Sequence, residues 1–238
     1  MARRVHMIKA KDISLIYGDG TLGLENVNVD IESGQIVYIT GPSGSGKTSL
    51  LKLIMGIEYP TKGYLKVMDQ PMIKEEASNI RRLRRAIGPV FQEFRLIKGR
   101  TALENVILGM RFLGFSPKDM KKNGEEALKK VGLEHKALSL VEKLSWGESQ
   151  RVAIARAIAR KPALILADEP TGNLDIRNAL NILEILRSLK DESTTVIITT
   201  HATHLIEDMD EGIFLRMNKG NIQVEKRGSR IEDKGYSV

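Results

Sequence analysis

The sequence predicts an α/β fold, a strand core interrupted by a long helical insertion. Three observations carry the prediction. Short apolar runs, Ile36 to Ile39, "ALILAD" and "TTVIITT", are bounded by polar residues, as buried parallel strands are. Stretches with apolar residues at three and four spacing alternate with these runs. One run also leads directly into a glycine-rich loop and a helical pattern, "GPSGSGKTSLLKLI".

In chain order, "IKAKDISLIYG" alternates loosely and reads as a strand ending at Tyr17. "LENVNVDIESG" brings Val27, Val29 and Ile31 to one face and turns at Glu32-Ser33-Gly34. Ile36 to Ile39 is a buried strand, "KTSLLKLIMGIE" a helix, and "YPTKGYLKVMD" a turn and strand. From about Ser78 to Arg160 the pattern reads as mostly helical. "ALILADEP" and "TTVIITTH" supply two more core strands. The end of the chain is charged and rich in small residues, which reads as a flexible tail. The expected organisation is one domain over 1–225, with a core of about 1–90 and 160–225 and a helical subdomain of about 91–159. Residues 226–238 are the expected tail.

Composition narrows the function classes. The 238 residues are 42% hydrophobic and 28% charged, a normal globular balance. With no cysteine, disulfides and thiolate metal sites are excluded and a reducing compartment is expected. The histidines (His6, His135, His201, His204) are too scattered for a zinc site. No apolar run approaches the ~20 residues a bilayer-spanning helix needs. The basic N-terminus lacks the apolar stretch of a signal peptide, and Met7 is an alternative start. A soluble protein that reaches a membrane through a partner is expected. The net charge of +7 invites a nucleic-acid or membrane-surface role. Its densest cluster is Arg81, Arg82, Arg84 and Arg85, and no aromatic residues interleave with the basic ones.

Two features carry chemistry. Gly41 to Thr48 fits G-x-x-x-x-G-K-[ST] completely, between a strand and a helix. Glycines let successive N–H groups turn inward onto phosphates, and the helix directs its positive end at the same anion. Lys47 can reach the β- and γ-phosphates, and Thr48 can ligate Mg²⁺. Asp168 and Glu169 stand where a buried strand ends. Asp168 is placed to hold Mg²⁺ through water, and Glu169 to orient or deprotonate the attacking water.

These residues and their order identify the chain as resembling the ATP-binding cassette (ABC) ATPases, from about Ile8 to Val224. The resemblance implies a P-loop core of mixed strands, an antiparallel β subdomain and the inserted helical subdomain. It implies that Tyr17 stacks on adenine and that Gly41, Pro42, Ser43, Gly44, Ser45, Gly46, Lys47, Thr48 and Ser49 bind ATP. Gln92 in "FQEFRL" matches the Q-loop glutamine that senses the γ-phosphate and Mg²⁺. Thr48, Gln92 and Asp168 form the implied metal set, and Lys47, Gln92, Glu169 and His201 the catalytic set. Ser145, Trp146, Gly147 and Glu148 match the signature motif, which acts in trans on the site of a second copy. Gly172 to Asp175 matches the D-loop, with Asp175 as its acidic residue. Trp146 departs from the family pattern, which has glycine there; the implied role of the turn stands on Ser145, Gly147 and the helix behind them.

The nearest branch is similar to the cell-division cassette FtsE, within a wider group that includes LolD and MacB. That implies ATP and Mg²⁺ as ligands, a homodimer in the ATP-bound state, and an FtsX-like integral membrane partner. A LolCE- or MacB-like partner, in lipoprotein release or export, is the alternative. The implied location is cytoplasmic, peripheral on the inner face of the plasma membrane, with no specific nucleic acid. Phe91, Phe94 and Leu96 are candidates for a groove that receives the partner. A nucleic-acid-linked cassette and a non-hydrolysing ATP-gated scaffold remain competing functions.

Overall fold

A computed structural model describes residues 6–172 and 174–227. Two sheets organise it. The smaller is antiparallel, in the order β2-β1-β4-β5, from β1 (His6–Ile16), β2 (Leu22–Glu32), β4 (Lys62–Val67) and β5 (Gln70–Pro71). The larger has the order β10-β9-β3-β8-β7-β6. It comprises β3 (Ile36–Thr40), β6 (Ile87–Val90), β7 (Leu164–Asp168), β8 (Thr195–Thr200), β9 (Gly212–Asn218) and β10 (Asn221–Arg227). Its pairs are parallel except the terminal β9–β10 hairpin.

Side-chain alternation divides the core into two clusters, one on each face of the large sheet. Tyr38, Ile165 and Ile198 enter one cluster, while their neighbours Val37, Leu166 and Ile197 enter the other. The antiparallel sheet covers the second face together with α1 (Lys47–Ile54) and α2 (Ala77–Leu83). The opposite face receives α3 (Ala102–Leu108), α4 (Pro117–Lys130), α5 (Trp146–Ile158) and α6 (Ile176–Ser188). The helices α3, α4 and α5 pack on one another as the inserted helical layer.

The segment expected to be mostly helical from Ser78 to Arg160 contains a strand. β6 holds only four residues, with Gly88 and Pro89 in its middle, so it carries no alternating signal. It lies at the edge of the sheet, where proline's missing N–H does no harm. The tail expected from residue 226 overlaps β10, which runs through Arg227 because that residue pairs with Gly212 on β9. The remainder of the expected tail, like the basic N-terminal residues 1–5, lies outside the described residues.

Three helix starts are capped by carboxylates. Thr101 with Glu104, and Ser145 with Glu148, form reciprocal capping boxes on α3 and α5. Asp175 caps α6 by accepting from Asn178 N. The backbone N–H groups of Thr101, Ser145 and Asn178 hold Glu104, Glu148 and Asp175 below the usual carboxylate range. A depressed folded value stabilises the fold above the unfolded pKa, about 4, and that contribution is lost as pH falls through the folded values. The melting temperature is therefore expected to drop below about pH 4. The drop should be shallower in Glu104→Gln/Glu148→Gln, which keeps a hydrogen-bonding side chain but not the titration; equal slopes would contradict this account.

Candidate active site

Parallel register gathers the predicted residues. On β8, Thr200 lies opposite Thr40 of β3, and Thr199 lies opposite Asp168 of β7. β6 adds Val90 opposite Ala167. The loop after β3, the acidic pair ending β7, His201 after β8 and Gln92 after β6 thus emerge together at the carboxyl ends of the parallel strands. In an open α/β sheet, the carboxyl ends of the strands are where ligands bind.

The loop Gly41 to Gly46 wraps onto the N-terminus of α1. Gly41, Gly44 and Gly46 have φ of 153°, 75° and 105°. Gly46 is the N-cap residue of α1 and offers no side chain, leaving the helix's first N–H groups to an anion. Pro42, Ser43 and Gly44 are exposed, whereas Ser45 and Lys47 are buried. Among the described residues, Ser45 Oγ has no hydrogen-bond partner. Lys47 Nζ donates to the Gly41 carbonyl (2.7 Å) and the Pro42 carbonyl (3.1 Å), and stands 3.3 Å from Glu169 Oε1.

Glu169 is the hub. Its Oε2 accepts from His201 N at 3.1 Å and shares a hydrogen bond with His201 Nδ1 at 2.9 Å. Its side chain is 12% exposed. Its backbone takes φ +46°, a left-handed conformation rare for a side-chain-bearing residue. Strain of this kind persists where neighbours over-determine the residue, and it concentrates at functional sites. One of those neighbours is Thr199, whose Oγ1 accepts from Glu169 N (2.9 Å) and donates to Asp168 Oδ1 (2.7 Å). Thr48 Oγ1 faces the other oxygen, Asp168 Oδ2, at 3.5 Å.

Thr199 was not singled out from the sequence: its strand is buried throughout, and only the pairing of Thr199 with Asp168 across β8 and β7 reveals it. Thr199→Val keeps the shape and removes both bonds. It is expected to cost about 1–3 kcal/mol of stability and to lower ATP turnover about tenfold. Wild-type turnover would show that Thr199 does not set the acidic pair.

The remaining predicted residues divide into two groups. Gln92 is adjacent: a Cβ on Gly172 would lie 3.4 Å from Gln92 Nε2 and 3.3 Å from the Glu169 carbonyl. Tyr17 flanks the loop, its OH 2.9 Å from Ser49 Oγ and Lys52 Nζ 5.3 Å from its ring centroid. The signature turn stands apart. Among the described residues, its hydrogen bonds are local, and Glu148 also pairs with Lys136 at 3.5 Å. Gly147 instead meets α6, since a Cβ there would come within 3.3 Å of Asn178 Oδ1. Asn178 Nδ2 donates to Asp175 Oδ2 at 2.6 Å. Asn173, within the D-loop match, lies outside the described residues.

The residues proposed for partner or membrane contact are partly occupied. Leu96 packs against the helical core, and Phe91 lies under Arg95 at 4.3 Å. Arg84 of the basic cluster donates to the Met55 and Gly56 carbonyls. Arg81, Arg82 and Arg85 are exposed.

Residues 24–172 match the ABC transporter family. The chain belongs to that family. It is 36% identical to the cell division ATP-binding protein FtsE of Bacillus subtilis over 222 residues, 93% of this chain and 97% of that one. Identity to FtsE of Escherichia coli is 40% over 200 residues, 84% and 90% of the two chains. The fold is similar to a dimeric post-hydrolysis structure of the ATP-binding cassette MJ0796 bound to ADP and Pi. That match has a TM-score of 0.80 and 36% identity, and covers 93% of this chain and 100% of that one. The cassette is therefore an ATP hydrolase of the ABC type, similar to FtsE. Among the described residues, no helix is long and apolar enough to cross a membrane.

Proposed function

We propose that the cassette hydrolyses ATP at a site completed by a second copy of itself, and that the cycle drives an integral membrane partner. The observation that supports this best is the Glu169 carboxylate held between Lys47 and His201 beside the glycine loop. In this reading Tyr17 stacks on adenine, oriented by Ser49, and the loop from Gly41 to Thr48 cradles the phosphates. Ser145, Trp146, Gly147 and Glu148 of one copy cover the nucleotide of the other, and Asp175 faces the junction. Closure excludes water and aims preorganised donors at the transferred phosphoryl group.

Mg²⁺ fits the residues present. Thr48 and Asp168 offer a hydroxyl and a carboxylate close together, the hard oxygen donors this ion takes. They would hold it with Gln92, the carboxylate through water, and the ion would neutralise charge on the phosphate oxygens. Glu169 orients the attacking water and takes its proton, while His201 holds Glu169 in place. Lys47 carries the β- and γ-phosphates.

The relatives named as cell-division proteins support an FtsE-like role, with an FtsX-like partner and cell-wall hydrolysis as the output. The cassette would then sit at the cytoplasmic face of the membrane. The test is recovery of tagged Glu169→Gln chain with ATP from detergent-solubilised membranes, and mass spectrometry of what accompanies it. An FtsX-like protein supports the reading. A LolCE- or MacB-like permease overturns the division role and installs lipoprotein release or export.

A further inference from the structure

Trp146 is the only tryptophan in the chain and occupies the third position of the signature turn. It is the first residue of α5, after the N-cap Ser145. Its φ is not positive, so a side chain is accommodated there without backbone strain. The indole is half exposed, and its covered part meets Phe94. The ring centroids are 4.6 Å apart at 66°, the edge-to-face arrangement that aromatic quadrupoles favour.

Phe94 lies two residues beyond Gln92, in the irregular segment between β6 and α3. The same helix grips this segment a second time. Arg156, ten residues along α5 from Trp146, donates to the Phe94 carbonyl (2.6 Å) and the Arg95 carbonyl (2.7 Å). The Gln92 segment is thus fastened at Phe94 and Arg95 to both ends of α5, by the aromatic pair at Trp146 and by the backbone clamp at Arg156. A glycine at position 146 would keep the clamp and lose the pair.

We propose that Trp146 is a positioning residue: its ring locks the signature turn to the Gln92 segment, so that the two move as one unit. Displacement of the segment at one ATP site then carries the turn that serves the other. This rests on the ATP-site reading above, and the experiments separate the two.

The first readout needs no activity. In the full chain without nucleotide, Phe94→Leu should shift the Trp146 emission; an unchanged spectrum overturns the pair. The second is ATP turnover, with ATP-driven dimerisation followed in parallel in a Glu169→Gln background. Trp146→Gly and Phe94→Leu should each lower kcat and dimerisation about fivefold. KM for ATP should stay within about twofold, because the loop and Tyr17 are untouched. The double variant should be no worse than either single one, and Trp146→Phe should restore most of the loss. Wild-type behaviour of Trp146→Gly, or losses that multiply in the double variant, overturns the proposal. If Lys47→Ala and Ser145→Ala abolish turnover while the aromatic losses multiply, the latch alone fails. If those two variants retain turnover, the site reading fails and the latch with it.

Discussion

Glu169→Gln is expected to lower ATP turnover about 10²–10⁴-fold while nucleotide binding survives. The amide is nearly isosteric with the carboxylate, and its oxygen can still accept from His201 N. It cannot take a proton from the attacking water. It also withdraws the negative charge that stands 3.3 Å from Lys47 Nζ, which leaves the ammonium to the phosphates. The nucleotide-bound dimer should therefore accumulate, visible as a shift in sedimentation or elution when ATP is added. Turnover within tenfold of wild type would remove Glu169 from the role of base.

The second large effect is structural. Gly46→Ala places a Cβ 2.5 Å from the Gly23 carbonyl and 3.1 Å from Leu24 Cδ2 and Met217 Cε, at φ +105°. The backbone strain costs about 1–2 kcal/mol and the overpacking about 1–3 kcal/mol. Together they should lower the melting temperature by about 10 °C for a domain of this size. Relief of the clash displaces the N-terminus of α1, so ATP affinity should fall at least tenfold. Gly44→Ala is the useful comparison. Its φ is +75°, but none of the described residues lies within 4 Å of the added Cβ, so it carries only the backbone strain and should cost less on both measures. Equal losses would mean that crowding against Gly23 is not what makes Gly46 necessary.

Much of the site was legible because its signals are local. The glycine loop is a contiguous pattern between a strand and a helix, and Asp168 and Glu169 directly end an apolar run. The β9–β10 hairpin, not singled out as strands, becomes plain only where β9 pairs in parallel with β3. The short edge strand β6 had no periodicity to read, and its pairing with β7 is what brings Gln92 to the site. The charge of the basic cluster left a lipid-facing role and a solvated helix face both open. The fold ties Arg84 to backbone carbonyls and leaves its neighbours exposed.

By itself, the sequence determined the P-loop fold, the family, and the local motifs that mark the candidate site, since each depends on neighbours a few positions apart. Tertiary structure decided what those residues touch. Parallel register across β3, β8, β7 and β6 made one site of four distant segments. The same packing set Thr199 between Glu169 N and the Asp168 carboxylate and put Trp146 against Phe94. Such contacts join positions tens of residues apart, and only strand pairing and helix packing specify them.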